Sequence, residues 1–403
     1  MAYELERFPP GPPSSVNMPM LVLARACTTA VFMTYPACLG WLMDAWQMTA
    51  TRAGLVQGAF TASFAASLLV VSFLCDRFGA KSVFAWAAIS CAASALFFAA
   101  VARSFESALV CMALLGLAQG ATYTPAIMLA STNAPPNRRA SAVGWILAGM
   151  SAGYVMSILI ANAMLAVADY RLSFAVTAGV AVVGSALSIA ATRNARDQVA
   201  QMDLIKTSYD RPWKRQARLL TLGYIGHTWE LFGAWAWIPA FLTASLLSQG
   251  RMTGIEVGVW TAVTLHVSGF FGSFLSGYGA DHFGAKPVLV TFSLVGAACS
   301  LVVGWLSELN VALLLALVWI YGFAIIGDSS VLSSAMTEAV PASQLGRALG
   351  LRSILGVGAG SVSPIAFGMA LDMTPASVSW GLAFCTLAVG GALAFACAIA
   401  LRK

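Results

Sequence analysis

Six ionisable side chains interrupt the long apolar runs of this 403-residue chain: Arg25, His227, Glu230, His266, Asp328 and Arg352. Only 9% of the residues are charged, whereas 59% are apolar, so an ionisable group inside such a run is exceptional. A charged side chain within a bilayer is costly and normally faces a cavity or a partner. These six residues are therefore the first candidates for binding or proton-transfer chemistry.

Two of the six are arginines, Arg25 and Arg352. A guanidinium group in a low-dielectric cavity makes charge-assisted, often bidentate hydrogen bonds to carboxylates and other oxyanions. We therefore predict that both arginines bind an anionic ligand. Two alternatives stay open: Arg25 could extend its head group to the membrane surface, and Arg352 could form a structural ion pair with Asp328, which lies at a similar depth.

His227 and Glu230 are three residues apart, a spacing that places both on one face of a helix. A carboxyl beside an imidazole can exchange a proton, because the charge of each group depends on its surroundings. We predict that Glu230 with His227, or Asp328, carries a proton, and that His227 and Glu230 also contact the ligand. A static hydrogen bond or ion pair is the alternative.

A second histidine within an apolar stretch, His266, could hydrogen-bond the same ligand, although a packing role fits it slightly better. Aromatic side chains could form the walls of such a site, and we expect them to be Tyr35, Tyr123, Trp229, Trp235 and Trp237. Of these, we include the two tyrosines among the ligand-binding residues.

The elements that must position these residues are twelve apolar stretches, each long enough to cross a ~30 Å hydrocarbon core as a helix. They cover about residues 18–43, 54–75, 82–101, 106–131, 141–166, 171–192, 218–246, 255–278, 287–307, 311–336, 346–371 and 377–400. The sequence thus predicts an all-α membrane protein with two six-helix bundles (18–192 and 218–400), a central loop (193–217) and short tails (1–17 and 401–403).

Lysine and arginine residues are distributed unevenly between alternate ends of these stretches. Sixteen lie on the side that carries both termini and the central loop, four on the other side, and two are Arg25 and Arg352, which accounts for all 22. Because basic residues accumulate on the cytoplasmic side of membrane proteins, we predict that both termini and the central loop are cytoplasmic.

A short charged segment occurs twice. Cys75-Asp76-Arg77-Phe78-Gly79-Ala80-Lys81 returns 205 residues later as Ala280-Asp281-His282-Phe283-Gly284-Ala285-Lys286, each copy between two apolar stretches. Both copies resemble the loop between spans two and three of the major facilitator superfamily, which reads roughly G-x-x-x-D-R-x-G-R-K. The first copy departs at the leading glycine (Ser72), and both copies have alanine at the second basic position (Ala80 and Ala285).

The resemblance covers essentially the whole chain and implies the fold of that superfamily, with two pseudo-symmetric six-helix bundles. It also implies a conformational role, as a cytoplasmic gate between the halves, for Asp76, Arg77, Gly79, Lys81, Asp281, Gly284 and Lys286. Two features of the family are missing: the arginine that many proton-coupled members have in span four, and the Gly-Pro pair that is typical of drug exporters in span five. Their absence weakens an interpretation as a drug exporter.

Together these observations predict a secondary-active transporter in a bacterial inner membrane that moves a small anion, either an organic carboxylate or an inorganic oxyanion. Proton symport and anion exchange are both open as coupling modes, and we expect a monomer. The alternatives are proton-antiport export of amphipathic cations or drugs and, with weaker support, metal uptake.

Several other function classes lack the motifs that they require. The sequence contains no G-x-x-x-x-G-K-[ST] loop for ATP and no HExxH or nucleophile-elbow motif, so it predicts neither an ATP-driven pump nor an enzyme. The eight cysteines show no CxxC spacing and are typical of packing residues rather than disulfides or a zinc site. We therefore expect no cofactor and no nucleic-acid partner.

Overall fold

The computed structural model describes residues 16–135, 138–195 and 213–402, which form α-helices joined by short connections. In chain order the helices are α1 (Met18–Thr29), α2 (Thr34–Ala45), α3 (Ala50–Phe78), α4 (Ala80–Val101), α5 (Phe105–Thr132), α6 (Arg139–Val167), α7 (Tyr170–Ala191), α8 (Trp213–Leu242), α9 (Gly254–Ala262), α10 (Ser268–Phe283), α11 (Ala285–Val302), α12 (Val311–Ala339), α13 (Ala342–Met373) and α14 (Ser379–Ala400). Two π-helical turns, Thr243–Leu247 and Val263–Val267, follow α8 and α9, and a 3₁₀ turn, Val303–Trp305, follows α11.

Within the described residues, twelve helical segments are long and apolar enough to cross a membrane, which confirms the predicted all-α class. The pair α1–α2 makes the first span, and α9 with α10 makes the eighth. Most of the predicted central loop and of the N-terminal tail lies outside the described residues. The second bundle begins with α8 at Trp213, earlier than the predicted boundary at 218.

The first span is interrupted between Thr29 and Thr34. Pro36, in the first turn of α2, causes this break because it has no N–H for the carbonyl of Phe32 and its ring would clash with that carbonyl. The prolines of α8 and α5, Pro239 and Pro125, lie inside helices that continue past them. The interruption leaves Phe32 in irregular backbone at the middle of the protein.

Helices pack closely within each half, the N-terminal half being α1–α7 and the C-terminal half α8–α14. In the N-terminal half α5 packs against α3 and α4, and in the C-terminal half α12 packs against α10 and α11. Small residues make this possible. At Gly116 of α5, a Cβ atom would lie only 2.2 Å from the carbonyl oxygen of Phe60 on α3, so the two backbones are in direct contact.

The two halves meet at the end of the molecule opposite the chain termini. There α3 packs against α13, α6 against α9, and α2 against α8. No other pair of helices from opposite halves makes an extensive contact in the part of the chain that the structure describes, apart from α6 with the π-turn after α9. A Cβ at Gly368 would lie 2.2 Å from the carbonyl oxygen of Ala50, so α13 and α3 touch at this end.

Asp372 at the end of α13 connects the halves by capping α3. Its carboxylate accepts hydrogen bonds from the backbone N–H groups of Ala50 (2.8 Å) and Thr51 (2.7 Å) and from the Thr51 hydroxyl (2.6 Å). A carboxylate at a helix N-terminus satisfies unpaired N–H groups and interacts favourably with the helix dipole. This contact therefore stabilises the arrangement in which the end opposite the termini is closed.

We predict that Asp372→Ala opens this end. The substitution removes all three hydrogen bonds between the halves, so double electron–electron resonance between spin labels at Gln47 and Ala376 should show a new population at longer distance. Asp169→Ala is the matched control, because Asp169 caps α7 within its own half. Equal distance distributions for the two variants would contradict the prediction.

Candidate functional site

Arg25, on α1, is fully buried between helices of the N-terminal half. It is 1% exposed, and its Nη1 donates a 2.5 Å hydrogen bond to the hydroxyl of Thr122 on α5. Tyr123 follows Thr122 on α5, and α6, which carries Tyr154, packs against α1. Its Nε has no hydrogen-bond partner, and no carboxylate among the described residues lies within ion-pair distance.

Arg352, on α13, is a buried cation of the C-terminal half and is 6% exposed. Its guanidinium carbon lies 4.2 Å from the ring centroid of Tyr224 on α8, a cation–π contact. Nη1 donates to the carbonyl of Leu332 (3.0 Å) and Nη2 to the hydroxyl of Ser333 (3.2 Å), both on α12. As at Arg25, Nε is unpartnered, and no carboxylate among the described side chains pairs with this guanidinium.

Tyr123 connects the two arginines. It follows Thr122, the hydrogen-bond partner of Arg25, and lies in the neighbourhood of both guanidinium groups. The two guanidinium groups come from opposite halves, and the region around Tyr123 is common to both. This region has two positive charges that are hydrogen-bonded only to neutral oxygens.

An aromatic cluster, consisting of Phe32, Tyr154, Trp235 and His266, adjoins this region. Phe32 and Tyr154 belong to the N-terminal half, and their ring centroids are 4.7 Å apart. Trp235 of α8 and His266 are 5.5 Å apart, and Tyr154 lies 5.5 Å from Trp235 and 5.3 Å from His266. The cluster thus joins the two halves through side chains at the middle of the protein.

His266 lies in the π-helical turn Val263–Val267, an irregularity that often marks functional sites. The residue is 5% exposed, and its Nε2 has no hydrogen-bond partner. The indole Nε1 of Trp235 is likewise buried without a partner. Two polar ring atoms of the aromatic cluster are therefore left unsatisfied by the described residues.

His227 and Asp328 form a buried pair inside the C-terminal half. The Nδ1 of His227, on α8, lies 2.8 Å from an oxygen of Asp328 on α12, and Nε2 is 3.1 Å from the hydroxyl of Ser329. The imidazole is also 5.6 Å from the ring of Tyr224, which covers Arg352. Asp328 therefore pairs with a histidine, and the ion pair with Arg352 that the sequence left open does not occur.

Glu230 points into the core of the C-terminal half rather than toward Arg25. The hydroxyl of Ser300 on α11 donates a 2.6 Å hydrogen bond to its carboxyl, and the Tyr321 hydroxyl lies 2.7 Å from the same serine oxygen. Gly296 and Gly391 make room for the carboxyl, since a Cβ at Gly391 would lie 2.8 Å from Oε2. Thus Glu230 and His227, although three residues apart on α8, have different partners.

Tyr35 also lies away from the arginines. Its hydroxyl donates a 3.0 Å hydrogen bond to the carbonyl of Ala53, within the core of the N-terminal half. Of the seven residues predicted to bind the ligand, Tyr123 is in the neighbourhood of both Arg25 and Arg352, and His266 lies in the aromatic cluster. His227 contacts Tyr224, whose ring packs on Arg352. Tyr35 and Glu230 contact neither arginine.

Sequence reasoning missed Tyr154, Tyr224, Thr122 and Phe32. Tyr224 could have been found, because it lies three residues before His227 on the same helix face. Tyr154 and Phe32 carried no such signal, because their importance depends on how the two halves meet.

The two charged segments, residues 75–81 and 280–286, form helix–helix hairpins at the end of the molecule that carries the termini. The two hairpins have the same backbone geometry. Gly79 has φ 85° and ψ 146°, and Gly284 has φ 84° and ψ 160°, a region that is essentially restricted to glycine. Lys81 donates to the carbonyls of Arg193 (2.7 Å) and Ala195 (3.1 Å), and Lys286 to that of Leu401 (2.7 Å). Each lysine thus binds carbonyls just beyond the last helix of its own half.

The other predicted gate residues are Asp76, Arg77 and Asp281. Asp76 is partly buried, whereas Arg77 and Asp281 are exposed. The guanidinium of Arg77 lies 5.2 Å from the ring of the neighbouring Phe78. Their role in a gate between the halves stays a prediction.

The sequence profile of the Major Facilitator Superfamily matches residues 21–364, and the chain belongs to this superfamily. It is 21% identical over 364 residues to the probable 4-methylmuconolactone transporter of Cupriavidus pinatubonensis, covering 81% of this chain and 82% of the relative. It is 25% identical over 380 residues to the cis,cis-muconate transport protein of Acinetobacter baylyi, covering 87% and 84%.

Among solved structures, a bacterial homologue of the human lysosomal transporter Spinster, in an inward-facing and unoccupied conformation, superposes with a TM-score of 0.72. The two chains share 15% identity, and the match covers 95% of this chain and 93% of the other. This similarity confirms the predicted fold of two six-helix bundles.

We predict that Gly79→Ala and Gly284→Ala each destabilise the protein by about 1–3 kcal/mol, because a Cβ is strained at these dihedral angles. Thermal unfolding of the purified protein in detergent measures the effect. Gly144→Ala on α6, where a Cβ would meet nothing within 4 Å, is the control. A loss of stability no larger than that of the control would show that alanine tolerates this backbone.

Proposed function

We propose that the protein is a secondary-active transporter that carries a small anion, either an organic carboxylate or an inorganic oxyanion, across the inner membrane of a bacterium. We further propose that it works as a monomer, by proton symport or anion exchange. One observation carries the proposal: Arg25 and Arg352, one from each half, are buried near Tyr123 with no carboxylate partner among the described residues.

The electrostatics of the site favour an anion over a cation. A buried charge is costly unless it is paired, and here two positive charges share one region with only hydroxyl and carbonyl partners. An anionic ligand would supply the missing negative charge and could accept from the free Nε edges. A cationic drug would be repelled, and the acids nearest to the site are engaged elsewhere, Asp328 with His227 and Glu230 with Ser300.

The relatives support the same class of solute. The two proteins described above are named as carriers of 4-methylmuconolactone and of cis,cis-muconate. Muconate is a dicarboxylate, and the two arginines are suited to binding such groups. We therefore favour organic carboxylates over inorganic oxyanions.

Alternating access requires that the two halves separate at one end while they close at the other. With the termini on the cytoplasmic side, as the distribution of basic residues indicates, the packing of α3 on α13 and of α6 on α9 closes the outer end. We infer an inward-facing conformation. In the opposite state the hairpins containing Asp76 and Asp281 would approach the other half and act as the predicted cytoplasmic gate.

For proton coupling, the pair His227–Asp328 is the better-placed candidate and Glu230 the second. The imidazole of His227 contacts Tyr224, whose ring covers Arg352, so this pair is next to the anion site. Glu230 is separated from the arginines and has only neutral hydroxyl partners, Ser300 and Tyr321. A carboxyl in such surroundings can hold a proton without a nearby cation.

We predict that Arg25→Ala and Arg352→Ala each weaken carboxylate binding by about tenfold or more, because each loses charge-assisted hydrogen bonds to the anion. Isothermal titration of the purified protein with cis,cis-muconate, benzoate, succinate and sulfate measures the affinities. Lysine at either position keeps the charge without the planar fork and should restore part of the loss.

Arg103→Ala provides the control. Arg103 is exposed at the end of the molecule opposite the chain termini and donates to the carbonyls of Ala99 and Ala102. The proposal fails if no anion binds the wild-type protein, or if the three alanine variants bind equally well.

The coupling residues can be tested in proteoliposomes that hold the best ligand of that panel. We predict that Asp328→Asn abolishes accumulation driven by an outside-acid pH gradient but keeps counterflow, because it can no longer release a proton while the anion site is intact. The same result for Glu230→Gln would identify that carboxyl as the carrier instead.

Asp44→Asn, at an exposed position of the outer end, should behave as the wild-type protein does. If both test variants still accumulate the ligand in response to the gradient, neither carboxyl carries the coupled proton. Accumulation that depends on a trapped counter-anion and not on pH would instead indicate exchange.

A further inference from the structure

The aromatic cluster brings four flat side chains from both halves into mutual contact beside the anion site. Its ring centroids are separated by 4.7–6.0 Å, with Phe32 and Trp235 the most distant of the contacting pairs. Tyr154 belongs to the cluster and lies on α6, which packs against α1, the helix that carries Arg25. A ligand whose carboxylate is bound by Arg25 would therefore have the rest of its body next to these rings.

The cluster has polar atoms that its own neighbours do not satisfy. Buried ring nitrogens normally find a hydrogen-bond partner, and two other tryptophans of α8 do so. The Nε1 of Trp229 donates to the carbonyl of Thr386 (2.9 Å), and that of Trp237 donates to the carbonyl of Pro364 (3.0 Å). The Nε1 of Trp235 and the Nε2 of His266 are buried and have no partner among the described residues.

Shape points to a flat ligand. Aromatic rings pack favourably against other planar groups in offset or edge-to-face geometry, and the cluster presents rings in several orientations, with interplanar angles of 49° to 89° around Trp235 and His266. The rings touch one another in this conformation, so a ligand must part them, and a planar body requires a smaller separation than a puckered aliphatic ring.

Resting on the proposed function, we propose that the site selects carboxylates that have a planar ring or conjugated chain and a hydrogen-bonding group remote from the carboxylate. The carboxylate binds Arg25, the planar body contacts Tyr154 and Trp235, and the remote polar group meets Trp235 Nε1 and His266 Nε2. These two residues then determine specificity and are separate from the arginines that supply affinity for the charge.

Two ligand pairs test the two parts of the proposal by isothermal titration of the purified full-length protein. Benzoate and cyclohexanecarboxylate have the same carboxylate on a six-membered ring, but only the first ring is flat. 4-Hydroxybenzoate and benzoate differ only in a remote hydroxyl. We expect each first-named ligand to bind about threefold to tenfold more tightly than its counterpart.

Trp235→Phe keeps a ring and removes the indole N–H. We expect it to abolish the advantage of 4-hydroxybenzoate over benzoate and to leave the preference for benzoate over cyclohexanecarboxylate in place. Trp229→Phe is the matched control on the same helix, because its N–H is bound to Thr386, and both ratios should be unchanged. Since each ratio is taken within one protein, a partial loss of folded material does not affect it.

The possible results separate this inference from the function on which it rests. If carboxylates bind but neither pair is discriminated, or if Trp235→Phe and Trp229→Phe change the ratios equally, the aromatic cluster only closes the protein and the inference is overturned while anion binding stands. If none of the three carboxylates binds the wild-type protein at all, both the carboxylate function and the inference are overturned.

Discussion

The burial of two guanidinium groups without a counter-charge is the constraint on which the arrangement of the site depends. Arg25 is held by the hydroxyl of Thr122, and Arg352 by a carbonyl and a hydroxyl of α12. Neutral partners satisfy some of the donors but leave both charges uncompensated, and charges repel more strongly in a medium of low dielectric constant. Two such charges are electrostatically unfavourable to enclose, and an anion between the halves would remove that cost. This gives a physical reason for the halves to interconvert more readily when loaded.

The two halves are alike at their charged hairpins but differ in the residues at the centre of the protein. At the hairpins, the two copies agree in backbone angle at Gly79 and Gly284 and in the use of a lysine to bind carbonyls of the last helix. At the centre, the offset of 205 residues relates Arg25 to Glu230, yet the first is a guanidinium with an unpartnered Nε and the second is a carboxyl that accepts a hydrogen bond from Ser300. Symmetry thus predicts the scaffold well and the chemistry of the site poorly.

The sequence predicted the number and type of the membrane spans, because apolar length and charge are properties of single segments. It also identified both arginines, since any ionisable residue in such a segment is conspicuous. It could not determine partners. His227 and Glu230 share a face of α8 by spacing, but a few tens of degrees of rotation separate a contact with Asp328 from one with Ser300. The roles of Tyr154 and Phe32 depend on how the two halves meet, and that of Phe32 also depends on the break in the first span at Pro36. No local sequence pattern predicts the packing between the halves.

The geometry also indicates how an anion and a proton could influence each other within the C-terminal half. Arg352 holds the carbonyl of Leu332, which lies one helical turn after Asp328 on α12. An anion that draws the guanidinium toward the centre would compete with that carbonyl and loosen α12 at the turn that also positions Asp328 against His227. Tyr224 contacts both Arg352 and His227, so a displacement of the guanidinium would also shift the ring against His227. Glu230 has no such connection to either arginine, and for that reason the His227–Asp328 pair is the more economical link between ligand and proton.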